Sequence, residues 1–329
     1  MPAKLAIATP DAIEATALGG ALRSRIDHEN RLIVAPVSGR AIVLGAFQRA
    51  GSTIDLERAA RAREAIGRRS TGGVAVRVRE GQVFVSLALA SASALGGVDD
   101  LGRALNRHVR PLLRALSTFG AQATYGGRDF VSIAGVPIAF VAVAHDTKSG
   151  ALGLEAIVAV DAPFSLDAED DLAHGAIAPR WLGKSPGSLS ASLRRRIDLT
   201  AVVRAIASAY ASQAGDDVTT FEAGAFVALD PRCEERPFDA LVEEAMGLVG
   251  AAIDPDAIAI GGELMASADA LAALGRALKA LGDDPADDAL GTTIDAALGP
   301  SSGALLFGVR SLASIAKVVR AAQKQGRAS

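Results

Sequence analysis

The sequence predicts an α+β protein in two unequal parts, and three observations carry that expectation. Short β-rich runs at 32–47, 74–90, 130–143 and 154–160 alternate with stretches whose apolar residues recur at helical spacing. A charged segment bracketed by prolines, Asp230-Pro231-Arg232-Cys233-Glu234-Glu235-Arg236-Pro237, interrupts the pattern. Beyond it the chain has a strand and several amphipathic stretches of its own. The expected division is a large domain over 1–229, a linker over 230–237 and a small α+β domain over 238–329. With 329 residues the chain is long enough for one medium core and one smaller one.

Taken in order, 32–47 (LIVAPVSGRAIVLGAF) reads as two strands around Ser38-Gly39. Next, IDLERAARAREAIG has Asp55 as N-cap, Leu56, Ala59, Ala60 and Ile66 on one face, and Gly67 at its end. VAVRV (74–78) and VFVSLALA (83–90), joined by a polar link containing Gly81, predict a hairpin. Leu101, Leu105, Val109, Leu112 and Leu116 mark a helix that Pro111 should kink. Two further β runs flank the loop His145–Gly150, Asp198 caps a helix running to Tyr210, and Ala225–Leu229 is a short strand. After the linker come a helix at 238–250, a strand at 257–265, and helices at 268–281, 288–298 and 311–323. The stripe Leu312, Ile315, Ala316, Val319 suits core packing, with a partner surface as the alternative.

Composition removes several function classes. Half of the residues are hydrophobic and only 4% aromatic, which favours closely packed small-residue helix faces with few large anchors. A formal charge of −3 gives no field for nucleic acid or anionic lipid; the basic residues are spread out, apart from Arg194-Arg195-Arg196 and the tail around Lys317, Arg320, Lys324 and Arg327. Cys233, the single cysteine, can form neither an intrachain disulfide nor a CxxC knuckle. His28, His108, His145 and His174 lack metal-ligand spacing, so no metal site is expected. The N-terminus lacks a continuous apolar core and no stretch is apolar enough to span a bilayer, which makes the cytoplasm the expected location and membrane insertion unexpected.

The informative stretch is Arg68-Arg69-Ser70-Thr71-Gly72-Gly73-Val74-Ala75. Paired glycines entering a strand let a flat ligand or a phosphate approach the backbone, because no Cβ intervenes. The arginines can bind carboxylate or phosphate. A plain tight turn and a helix-end charge are the bland counterparts of these readings.

Order along the chain adds weight. Gly45-Ala46-Phe47-Gln48, a helix, the Arg-Arg-Ser-Thr-Gly-Gly strand, a hairpin, a long helix and Gly127-Arg128-Asp129-Phe130 follow one another. This series resembles the catalytic domain of the lipoate–protein ligases, within the superfamily of biotin and lipoate ligases and octanoyltransferases. Gly45 and Gln48 match its strand-end motif; Arg68, Arg69, Gly72, Gly73 and Ala75 match its RR-x-S-G-G-G-A strand; Asp129 matches its N-D element; Ile133 and Gly135 open its G-x-K strand. Leu154, the run Ile157–Asp161 and Lys184-Ser185-Pro186-Gly187-Ser188-Leu189 resemble later elements, so that the likeness covers roughly 30–215. The resemblance implies a mixed β-sheet flanked by helices with a small accessory domain. Its ligand-binding residues would be Arg68, Arg69, Ser70, Thr71, Gly72, Gly73, Asp129 and Gly135. It also implies ATP with lipoate or octanoate for an active member, and a lipoyl or biotinyl carrier domain, or another subunit, as partner.

The departures lie in one place. In such ligases a lysine on the G-x-K strand meets both the acid and the nucleotide phosphate, where a fixed cation offsets the negative charge developing as the acyl-adenylate forms. Pro137 holds that position, Phe140 takes the place of a small residue, Val74 replaces a glycine and Arg128 replaces the asparagine. Lys148 and Lys184 are the candidate substitutes for the lysine, though each also reads as a solvated loop residue. Cys233 is the one candidate for a thioester route, without a neighbouring histidine in sequence. The expectation is a catalytically degenerate relative acting as a binding or scaffold subunit. The alternative is an active ligase or acyltransferase attaching lipoate, octanoate or biotin to a carrier lysine.

Overall fold

The longest apolar runs of the sequence become the middle of a sheet. The structure, a computed structural model, describes residues 3–6, 30–91, 101–166, 171–177, 181, 183–214, 216–218 and 236–328. In chain order the first part contains β1 (Ala3–Ala6), β2 (Arg31–Pro36), β3 (Arg40–Leu44), α1 (Ala50–Thr53), α2 (Leu56–Arg61), β4 (Ala65–Arg68), β5 (Val76–Arg79) and β6 (Gln82–Leu89). Then come α3 (Leu101–Ser117), β7 (Ala123–Tyr125), β8 (Phe130–Ile133), β9 (Val136–His145), β10 (Leu152–Ala159), α4 (Leu189–Leu193), α5 (Leu199–Ala214) and β11 (Asp216–Val218). The second part is β12 (Ala240–Glu243), β13 (Leu248–Ile253), β14 (Ile258–Gly262), β15 (Met265–Ala266), α6 (Ala268–Ala280), α7 (Asp287–Leu298), β16 (Leu306–Phe307) and α8 (Leu312–Ala328).

Eight strands form a mixed sheet in the order β11-β1-β2-β6-β10-β9-β8-β7, parallel at β11-β1-β2 and antiparallel elsewhere. Every residue of β6 and β10 is buried, which is why these segments read as mostly apolar runs, broken only by Gln82, Ser86 and Glu155, and not as alternation. Helices α3 and α5 pack together and onto this sheet. A second sheet, β4-β3-β5, adds Ala41, Val43, Val76 and Val78 to the same core, while Ile42, Leu44 and Ile66 meet α1 and α2 in a separate cluster. This is the α+β architecture expected, with the sheet mixed and flanked by helices.

Residues 240–328 build a sheet of their own, β12-β13-β14, covered by α6, α7 and α8 around a distinct core. Ile315 and Val319 are fully buried there, so that this stripe is core. Among the described residues, no helix is long and apolar enough to cross a membrane.

Local capping follows the sequence. The Asp55 carboxylate accepts the Arg58 N–H at the start of α2, and Asp198 accepts from Thr200 and Ala201 at the start of α5. Helix α3 continues through Pro111 to Ser117.

Three expectations need correction. The helix from Asp55 stops at Arg61, because Arg63 turns the chain at φ 51° and Ala65–Arg68 then pairs parallel with β3; Gly67 lies inside that strand. The hairpin expected of 74–78 and 83–90 does not form a ladder, since β5 and β6 join different sheets. The expected helix at 238–250 is the strand pair β12/β13: Gly250 lies so close to the Phe238 ring that a Cβ would come within 2.4 Å, and that packing favours extended chain over the helical periodicity. Ala225–Leu229, Cys233 and most of the linker lie outside the described residues.

Gly81 makes the corner between the two sheets. Its φ is +86°, and its carbonyl accepts N–H groups from Val160 (3.1 Å), Asp161 (2.8 Å) and Ala162 (3.4 Å). Gly81→Ala should cost about 1–2 kcal/mol for the left-handed backbone, lowering the thermal midpoint by a few degrees in a calorimetric scan.

Candidate functional site

The residues singled out in sequence meet where β3, the loop 68–73 and β9 converge under a strand of the second part. Arg69 is the centre. Its guanidinium is 3% exposed at the residue level and lies 4.4 Å over the Phe140 ring. It donates to the carbonyls of Val43 (3.2 Å), Gly72 (2.8 and 3.1 Å) and Val74 (2.5 Å). Burial brings its pKa down to about 9, with Glu155 and Asp129 opposing the fall, so that it stays charged at neutral pH.

The neighbouring groups are engaged as well. Arg68 donates to the carbonyls of Gly45 (3.1 Å) and Gln48. The hydroxyls of Ser70 (3.0 Å) and Thr71 (2.5 Å) donate to the two oxygens of Glu155, a buried carboxylate on β10. The Gly73 N–H, at φ +88°, donates to the carbonyl of Leu264 at 2.7 Å. A Cβ on Gly72 would lie 2.2 Å from that carbonyl, and one on Gly45 would lie 2.1 Å from the Gly73 oxygen. These glycines are required by close backbone approach within the protein itself.

Two buried carboxyls flank this cluster. Asp129 is 1% exposed; burial pushes its pKa up to about 6, partly offset by Arg128 and Arg69, and the Arg128 Nε lies 3.6 Å from its Oδ1. Glu263, from the second part, is pushed up to about 8 by burial, against the Leu248 N–H that it accepts at 2.8 Å and with Asp129 adding to the rise. Gln48 bridges the parts, accepting the Gly45 N–H at 2.8 Å and reaching Glu263 at 3.5 Å.

Beyond Arg69 the space is aromatic. Trp181, the only tryptophan of the chain, makes edge contacts with Phe130 (6.0 Å), Phe140 (6.4 Å) and Phe164 (5.2 Å). Pro137 is buried on β9 beside a register shift at Val131/Ser132, and its carbonyl accepts the Gly187 N–H at 2.9 Å. Gly135 is in the exposed turn before it at φ +80°, and a Cβ there would lie 3.8 Å from the Cε of Lys184. Lys148 is past the other end of β9, about 26 Å or more along the strand from Pro137. Its loop is tied to α6, the Thr147 N–H donating to Asp269 at 3.1 Å. Cys233 is outside the described residues. Glu155, Glu263, Phe164 and Trp181 escaped the sequence reading because these partners are 17 to 215 positions away in the chain.

With that geometry in view, comparison with known proteins gives the family. A family described as the lipoyl protein ligase A/B catalytic domain matches residues 11–210. This chain belongs to that family. No curated protein matches the sequence. Solved structures of lipoate ligases share its fold. The P. falciparum ligase LipL1 in complex with lipoate is 13% identical over 97% of this chain and 98% of its own, with a TM-score of 0.66. A T. acidophilum lipoate protein ligase with bound lipoic acid is 16% identical over 68% of this chain and 90% of its own, with a TM-score of 0.53. A study of a bi-partite T. acidophilum lipoate protein ligase and its E2 lipoyl domain gives 19% identity over 67% and 88%, with a TM-score of 0.50. At these identities the likeness is one of fold. It extends over the second part in LipL1, whose coverage is nearly complete.

Two predictions test the electrostatics. Removing the guanidinium strands three buried carbonyls, so Arg69→Ala should lower stability by at least about 3 kcal/mol in urea unfolding. An arginine held in reserve for a ligand would cost little when removed from the unliganded protein. Glu263 ionises more readily unfolded, near 4.5, than folded, near 8. Its contribution is therefore full below about pH 4.5 and is lost as pH rises through about 8. Glu263→Gln should raise the thermal midpoint at pH 8.5 and leave it unchanged at pH 4.

Proposed function

We propose that this member of the ligase family is catalytically degenerate and serves as a binding or scaffold subunit for a lipoyl-type carrier domain or another subunit. The observation that carries the reading is the engagement of the cleft's own charge. Acyl-adenylate formation needs a cation free to meet the developing anion. Pro137 stands where the family has its lysine, and four hydrogen bonds from Arg69 go to backbone carbonyls. The Gly73 N–H, the natural phosphate donor of such a loop, is occupied by Leu264. Phe140 and Trp181 fill the neighbouring volume. A carrier-domain partner is supported by the bi-partite T. acidophilum ligase, whose structural study includes its E2 lipoyl domain.

One observation favours a second reading, an active ligase or acyltransferase using ATP with lipoate, octanoate or biotin. Lys184 is anchored on both sides, its N–H donating to the Trp181 carbonyl at 3.0 Å and Gly187 donating to Pro137 at 2.9 Å. Its exposed side chain passes Gly135, where a Cβ would lie 3.8 Å from the Lys184 Cε, next to the start of β9.

Acid-dependent exchange of pyrophosphate into ATP separates the two. The degenerate reading expects no exchange with lipoate, octanoate or biotin, together with calorimetric binding of an unmodified lipoyl domain. Exchange that falls on the order of a hundred- to thousandfold in Lys184→Ala would replace it with the second reading.

A further inference from the structure

Helix α3, LGRALNRHVRPLLRALS, contains four arginines and no carboxylate. Arg103, Arg107, Arg110 and Arg114 recur at i, i+4, i+7 and i+11, which puts them in one stripe along the helix, about 16 Å long. The face that includes Leu105, Val109, Leu112 and Leu116 is buried in the core. Arg103, Arg110 and Arg114 are exposed and Arg107 is half-buried. In the linear sequence the arginines look dispersed; helical periodicity gathers them.

A second element extends the stripe. Arg194 caps α4 in the left-handed region at φ 52°, and the next residue, Arg195, donates to the carbonyl of Phe119 at 2.7 Å, just beyond the end of α3. Arg196 points elsewhere, into a hollow shared with Glu80, Asp161 and Asp198, and is not part of the stripe. Nothing in the helix's own stability calls for this pattern, because like charges four residues apart repel. Arg103 and Arg114 also take part in contacts within the chain.

We propose that the arginine face of α3, extended by Arg195, is the docking surface for the acidic side of the partner carrier domain. This rests on the carrier-binding reading above. Charge complementarity selects an anionic occupant, and two features favour a folded acidic protein over other anions. Helix α3 contains no aromatic residue on which a base could stack. Among the described residues the exposed large hydrophobic side chain is Leu241, on β12, so the stripe has no apolar companion for insertion into lipid. Such a surface acts chiefly on association rate and orientation, and its effect is screened as salt rises.

The experiment uses the full chain and an unmodified lipoyl domain with an acidic surface, followed by surface plasmon resonance at 50 and 300 mM salt. Arg110→Glu and Arg110→Glu/Arg114→Glu should weaken binding on the order of tenfold or more at low salt, mainly through the association rate, and flatten the salt dependence. Arg110→Lys should retain binding, and Arg276→Glu on the exposed face of α6 should leave it unchanged. Thermal midpoints confirm that each variant is folded. Binding indifferent to the α3 reversals overturns this surface while leaving the carrier reading intact. If the wild type does not bind the domain at all, the carrier reading itself fails. Arginine-dependent binding to a single-stranded 20-mer or to phosphatidylserine vesicles, but not to the domain, overturns the protein partner.

Discussion

A buried cation whose hydrogen-bond partners, among the described residues, are backbone carbonyls organises the centre of this molecule. The Arg69 guanidinium faces three backbone carbonyls and one aromatic ring, and water has almost no access to it. Desolvating a charge is costly unless its donors are satisfied, and here carbonyl dipoles supply the compensation. The loop must therefore curl until the oxygens of Gly72 and Val74 converge on one group, and only glycine at 72 and 73 permits the approach. Phe140 must be large and flat for the same reason, since its face completes the enclosure.

The second part of the chain is joined to this centre rather than merely tethered to it. Between Gly261 and Asp269 it meets the first part repeatedly: Gly262 donates to the Phe47 carbonyl, Leu264 accepts from Gly73, Ser267 bonds the His145 ring and Asp269 accepts from the Thr147 N–H. Ser267 already accepts the Leu305 N–H. These bonds run beside Asp129 and Glu263, two carboxyls kept from ionising easily by burial. The junction thus combines buried neutral hydrogen bonds at Phe47, Gly73 and His145, which are electrostatically stronger than in water, with charged bonds at its edge, Thr147 to Asp269 and Arg49 to Asp254 at 2.6 Å.

How far the sequence disclosed this depended on whether the relevant partners were local. Asp55 and Asp198 could be read as caps because their N–H partners are two or three residues away. The largely apolar runs of β6 and β10 signalled burial on both faces. Sheet membership was hidden, since β5 and β6 diverge at Gly81 through pairings with strands far along the chain. At the site, the sequence identified Arg68 to Gly73 as a cluster but not what faces it. Glu155 reaches Ser70 from 85 positions away, and no periodicity encodes that meeting. The strand pair at 240–253 misread as helix because its alanines, leucines and glutamates favour helix locally, while Gly247 and Gly250 pack against Glu263 and Phe238 in a way only the folded chain reveals.

The same groups that would stabilise an acyl phosphate are the ones that give this core its cohesion, and the two uses compete. An enzyme keeps donors preorganised but unsatisfied until the transition state arrives, at some cost in stability. Here the donors are satisfied in advance: Arg69 by carbonyls, Gly73 by Leu264, Ser70 and Thr71 by Glu155. Phe140, Trp181 and Met265 pack beside these groups and bury apolar surface against them.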